Sequence, residues 1–400
     1  MPDNFYFDGS LDLRGASIIA LPNGLSISGD LLLSYSCIKK LPDDMSVAGS
    51  LDLRDLDFFG FPSGLSVGND LHLSEMSIFS LPEDLSVGKN IYLRGAKIVR
   101  LQGGLSIDST LNLADSPIST LPKNLTINGD LLLCRADIAI LPDNLSVGGD
   151  LNISYTNITS LPVGLRVGGS LDLQNTSIKS LPSGLSVGGS IKLGHTKITK
   201  LPKDLSVGKD LWLHNTKIRK LPVNLSVGGT LDVSNTNICS VPKSLRVGGK
   251  LDVHGSKITR LPDGLNIGGG LDISRTDIDV LPDSLSVGGR FNLCHTKVKS
   301  LPSGLSVGGC LDIRGTKITS LPHSLSVGGC LLLNDLEISS LPEDIFVAEA
   351  IYIKNTEITY LPVSCHDGLK IVTEHDDLTA KEFRGREVDH RYHNRFNLTA

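Results

Sequence analysis

Apolar residues along this chain return on a beat of twenty, and within each beat they alternate by twos. Written in rows of twenty, residues 1 to 360 align without an insertion or deletion, as in Leu301-Pro-Ser-Gly-Leu-Ser-Val-Gly-Gly-Cys-Leu-Asp-Ile-Arg-Gly-Thr-Lys-Ile-Thr-Ser320. Numbering each row from 1 to 20, positions 1, 5, 7, 11, 13 and 18 are almost always apolar, with variants such as Phe61, Val241, Met45, Phe58 and Val298. Spacings of two (5 and 7, 11 and 13) are strand alternation. Position 2 is proline in every row except the one carrying Gln102, and Gly-Gly recurs at positions 8 and 9, which leaves no stretch for a helix. The pattern predicts a repeat solenoid with one firm strand per coil over positions 10–14. Its return leg from Leu-Pro is extended or polyproline-like, with room for a second short strand at 5–7.

A lone coil of this kind buries too few side chains to offset the ordering of twenty residues, so stability has to come from stacked neighbours. Position 16 holds threonine in half the rows (Thr156, Thr176, Thr196 and others). A hydroxyl there can bond a turn backbone group and its neighbour above, a short polar ladder interrupted at Ala16, Ala96, Ala136, Leu56, Leu336 and Met76. Met1-Pro2-Asp3-Asn4-Phe5 is already in phase, an expectation of a first coil without a separate cap and of a shortened form of a longer product. Leu361-Pro362 opens another coil whose Leu369 and Ile371 are read as arriving two positions early. The expected organisation is an eighteen-coil solenoid over 1–360, a half-coil over 361–375 and a polar tail or cap over 376–400.

Composition adds limits. Forty-two glycines and 19 prolines beside 40 % hydrophobic residues describe punctuation of something regular, not disorder. A net charge of −5 speaks against nucleic acid as a partner. Seven scattered cysteines make no disulfide framework and point to a reducing compartment. No apolar run suits a membrane span, and the start lacks the parts of a cleavable signal peptide.

The string Leu-x-Leu-x-x-Thr-x-Ile-x-x-Leu-Pro-x-x-Leu resembles the LPX leucine-rich repeats of bacterial type III effectors, the YopM/IpaH-like group, and looks closest to their EspR-type relatives, without a catalytic ligase domain. The resemblance covers nearly the whole chain. It implies a curved leucine-rich-repeat solenoid with a parallel sheet on the concave side, secretion from the bacterial cytoplasm into a host cell, and binding of host proteins. Two departures are visible: threonine or a smaller residue stands where the family has asparagine after the strand, and Gly-Gly replaces the leucine before it. A flatter β-helix therefore stays open.

With 11 and 13 pointing inward, positions 10, 12 and 14 face outward together. Position 12 carries Asp172, Asp232, Asp252, Asp272 and Asp312, and position 14 answers with His214, His254 and Arg314. This is either a solvated face with alternating charge or a groove for a basic partner segment. Tyr92, Trp212 and Tyr352 are the aromatics of position 12, and an exposed Trp212 is either a binding hot spot or sheet filler. Cys365-His366-Asp367 resembles the Cys-x-Asp motif of the ligase branch, but a terminal half-coil offers no shielded site, so no catalytic residue is expected. Cys310 and Cys330 share position 10 on adjacent coils, where in-register strands disfavour a disulfide, and His390 and His393 in the tail have the spacing of a metal pair without further ligands. No cofactor and no metal are expected. The expected function is a non-enzymatic scaffold binding a host protein as a monomer, with end-to-end association as a variant. The alternatives are the remnant of a ubiquitin ligase and a structural surface protein.

Overall fold

A computed structural model describes residues 2–56, 61–101, 106–123 and 125–385; Phe58, Gln102, His390 and His393 lie outside the described residues. The chain divides into two compact units, Met1–Ile198 and Thr199–Ala400. Each is a stack of twenty-residue coils in which a residue pairs, parallel, with the one twenty further on: Leu151↔Leu171 and Val147↔Val167 in the first unit, Leu251↔Leu271 and Val287↔Val307 in the second. The fold is a parallel β-solenoid.

Every coil over 1–360 carries both the firm strand and the second short strand for which the sequence left room. One takes positions 11–12 (Leu171–Asp172, Leu251–Asp252) and the other positions 6–7 (Arg166–Val167, Arg246–Val247). The expected strand over 10–14 shrinks to two residues in most coils because the chain turns immediately afterwards. Its ladder nevertheless continues past the extended part: Leu171 N–H bonds Ser190 O, Leu173 N–H bonds Lys192 O and Asn175 N–H bonds Gly194 O.

The six apolar positions are the core. Leu171, Leu173 and Ile178 have no exposed surface, and Leu165 and Val167 are buried with them. Position 16 joins this interior, where Thr156, Thr176, Thr236 and Thr276 are buried too. Their hydroxyls do not form the expected ladder between coils. Each donates to the position-13 carbonyl of its own coil, as Thr176 Oγ1 does to Leu173 O at 2.7 Å and Thr236 Oγ1 to Val233 O at 2.6 Å. The backbone N–H of Thr176 reaches the same carbonyl, so one oxygen closes the turn twice.

Position 10 supplies the ladder instead. Asp130 Oδ1 accepts the N–H of Asp150 at 2.8 Å, Asp150 Oδ1 that of Ser170, and Ser170 Oγ that of Ser190 at 3.2 Å. Gly-Gly lies just ahead of this ladder, where the coils touch backbone to backbone. A Cβ on Gly188 would stand 2.1 Å from Gly168 O. Glycine is there for room.

The register slip expected at Leu369 and Ile371 is absent. Lys370–Val372 pairs parallel with Ala350–Tyr352 at the same offset of twenty, with buried Cys365 in the core position usually held by leucine. Asp377–Thr379 then folds back antiparallel on that strand. A helical turn over 380–385 follows, opened by a capping box: Thr379 N–H and Oγ1 donate to Glu382 Oε2, and Glu382 N–H returns to Thr379 Oγ1.

Candidate binding face

The face formed by positions 10, 12, 14 and 15 begins with a local turn. Position 15 has a positive φ in coil after coil, by glycine at Gly15, Gly95, Gly255 and Gly315, and elsewhere by side chains as large as Tyr35 (φ 61), Arg135 (φ 57), Tyr155 (φ 58) and His295 (φ 57). A positive φ confined to the third residue of a four-residue turn is the type II signature. Position 12 stabilises that turn. Its Asp or Asn oxygen accepts the N–H two residues on: Asp172 from Gln174 at 3.1 Å, Asp232 from Ser234 at 2.9 Å, Asp252 from His254 at 3.0 Å and Asp272 from Ser274 at 3.0 Å. Asn112, Asn152 and Asn292 do the same. These are Asx turns, a role the sequence reading missed. An Asp or Asn directly before the turn, two residues ahead of the N–H it accepts, was the available signal.

The carboxylates are also paired. Asp172 lies 3.5 Å from Lys192 Nζ, Asp232 3.2 Å from His214 Nδ1, and Asp252 2.7 Å from Lys250 Nζ. Asp312 is buried, held by Arg314 Nε at 2.9 Å and Nη2 at 2.8 Å, with Arg290 at 3.4 Å. Its hydrogen bonds raise the already high Arg314 pKa. Asp232, Asp252 and Asp272 do stand in register as neighbours, but every one of them is already engaged. The face is one of mixed charge, not an acidic stripe.

In the second unit, Asp252, His254, Asp272, Arg275, Arg290, His295, Asp312 and Arg314 line an open hollow of about 430 Å³, in which His254 Nδ1 lies 2.9 Å from Ser274 Oγ. Trp212, expected to be exposed, is half-buried among its strand neighbours. The smaller Asp232 is its register partner on the next coil. Tyr92, in the first unit, stacks on His72 with ring centroids 4.8 Å apart, and burial raises its phenol pKa. Arg135 sits 5.5 Å over the ring of Tyr155, a cation–π pair built from position 15 of adjacent coils. The ten sequence candidates thus split between the units: Tyr92 and Asp172 in the first, Trp212, His214, Asp232, Asp252, His254, Asp272, Asp312 and Arg314 in the second.

Cys365, His366 and Asp367 have structural partners. The Cys365 thiol is pushed up by burial, the reverse of an activated nucleophile. His366 Nε2 lies 3.3 Å from Ala348 O, and Asp367 pairs with Arg384, whose guanidinium also bonds the carbonyls of Pro362 and Cys365. No helix among the described residues is long and apolar enough to cross a membrane.

Stacked twenty-residue coils with apolar interiors and a polar strand face define a leucine-rich-repeat solenoid. Its likeness to solved structures is to proteins of that class. YopM from Yersinia enterocolitica WA-314 matches with a TM-score of 0.55 at 21% identity, covering 91% of this chain and 86% of that one. A chain of the Toll–Spatzle complex of Drosophila matches with a TM-score of 0.55 at 17% identity, covering 92% of this chain and 59% of that one. These likenesses concern the fold alone. No family model and no curated protein matches the sequence.

Proposed function

We propose that the protein is a non-enzymatic recognition scaffold, a secreted bacterial effector that binds host proteins through the strand face of its coils. The observation that carries this reading is the mixed-charge hollow around Asp252, Asp272, Arg290, Asp312 and Arg314, built on rigid strands and open to solvent. Fixed, alternating charges on a stiff sheet suit selection of a complementary protein surface more than they suit chemistry. The effector assignment rests on the repeat resemblance and on the YopM likeness, and the same resemblance supports a place in the bacterial cytoplasm before export. In this proposal the chain is a solenoid over 1–360 followed by a terminal half-coil and polar C-terminal tail over 361–400, acting as a monomer that needs no cofactor.

Trp212 with His214 and Asp232 extends the proposed surface in the second unit, and Tyr92 with Asp172 supplies it in the first. The Asx turns decide the right substitution for testing it. Asparagine keeps the turn acceptor, as Asn152 and Asn292 do, and removes only the charge. Capture from host cytosol should therefore be compared between the intact chain, Asp232→Asn/Asp252→Asn/Asp272→Asn and Trp212→Ala. Specific partners should be lost from the triple variant and weakened by Trp212→Ala while the melting midpoints stay close to that of the parent. Equal capture by all three chains would refute the face.

A further inference from the structure

We propose that Cys310, Cys330 and Glu349 form a binding site for a thiophilic divalent cation of the zinc class. Two thiol sulfurs and a carboxylate oxygen lie within 4.8 Å of one another, and Cys330 Sγ is 3.3 Å from Glu349 Oε2. A tetrahedral ion with sulfur ligands at about 2.3 Å and oxygen at about 2.0–2.2 Å sets its ligand atoms about 3.5–3.8 Å apart. The cluster is already near that size, so binding needs side-chain rotation and no movement of the coils.

The coil geometry explains why these residues converge. Position 9 sits against the position-10 side chain of the coil before it: a Cβ on Gly149 would meet Asp130 Oδ1, and one on Gly329 would meet Cys310 Sγ at 3.0 Å. Position 9 is usually glycine, and Glu349 is the only carboxylate the sequence places there. Its side chain is thereby delivered to Cys330. Cys310 is explained in part by the ladder, since its sulfur accepts the N–H of Cys330 at 3.3 Å as Asp and Ser do in other coils. The ladder does not call for a second thiol directed at a carboxylate. Cys330 opens one of the longer strands, Cys330–Leu332, and Glu349 directly precedes its three-residue partner Ala350–Tyr352, which holds these two ligands on a paired frame. On binding, the two thiols release their protons to solvent, and two thiolates and one carboxylate become three protein ligands, with water in the fourth place.

The test uses the full chain, reduced and stripped of metal. One equivalent of Co²⁺ should produce thiolate-to-cobalt absorption in the near ultraviolet, and Zn²⁺ should abolish it by displacement and raise the melting midpoint. Cys310→Ser and Cys330→Ser should each lose the band, and Glu349→Gln should weaken Zn²⁺ binding. Folding of the serine variants is expected because Ser50, Ser170 and Ser190 already occupy position 10; circular dichroism checks it. Absence of the band in the parent, or its survival in a folded Cys310→Ser/Cys330→Ser chain, overturns the proposal.

Discussion

Each coil makes two sharp changes of direction beside the same strand, and they are held by opposite means. At positions 8–10 backbone lies against backbone: a Cβ on Gly168 would stand 2.1 Å from Gly148 O and one on Gly308 2.0 Å from Gly288 O. At positions 13–16 side chains hold the turn, through the Asx acceptor at 12 and the threonine hydroxyl at 16. The first corner favours glycine by lack of space, and coils with Ser28, Ala48 or Asn128 at position 8 have to give way locally. The second prescribes only a few hydrogen-bonding groups, and between them it admits Tyr155, Arg275 or His295 at a left-handed position that glycine or asparagine would fill more easily. Variation is therefore wider at the second corner, beside the proposed binding face.

That contrast can be broken at either corner. Gly188→Ala should have the largest effect, about 3 kcal/mol, the upper end of what overpacking costs, because the obstructing atom is a carbonyl of the adjoining coil. Denaturant unfolding would measure it, and a near-neutral result would mean the glycine corner is not space-limited. Asp312→Ala comes next, with about 2 kcal/mol lost for hydrogen bonds to a buried charge; Asp312→Asn should recover part of it by keeping the turn acceptor. Thr176→Val should cost about 1 kcal/mol, since Leu173 O keeps the backbone N–H of Thr176 when the hydroxyl goes.

The smallest expected effect is acid sensitivity in the first unit. Burial pushes the Asp52 carboxyl up, but the hydrogen bonds and charge of Arg54 outweigh it and hold the pKa below the usual carboxylate value. Arg14 brings exposed Asp12 down to about 2. Both values are depressed, so the stability these groups contribute is present above the unfolded carboxylate pKa, about 3.9, and is lost as pH falls through the folded values. Melting midpoints should drop from about pH 4 downward, and Arg54→Gln should flatten that drop. An unchanged slope in the variant would remove the Asp52–Arg54 pair from the explanation.

The period, the six buried positions and the parallel stacking were legible because repetition prints each requirement eighteen times. Leu171 and Leu173 could only face inward. The role of Asp172 was not legible, since a surface charge and an Asx acceptor look alike until the turn is seen to bend two residues later. Trp212 was read as exposed because strand alternation assigns a side and not the depth of its neighbours. The threonine at position 16 belongs to a turn, as its hydroxyl suggests, but its bond closes within one coil, on Leu173 O at 2.7 Å. Glu349 escaped notice as a neighbour of Cys330, because only the stacked backbone reveals that position 9 overlies the preceding position 10.

The side-chain ladder at position 10 also gives the stack a direction. The acceptor on Asp130 serves the N–H of Asp150, and Asp150 in turn serves Ser170, always toward higher residue numbers. Removing one such side chain leaves its own coil satisfied and strands a donor in the coil after it. The loss therefore falls on the following coil and not on the preceding one, so matched lesions near the two ends of such a ladder need not be equivalent.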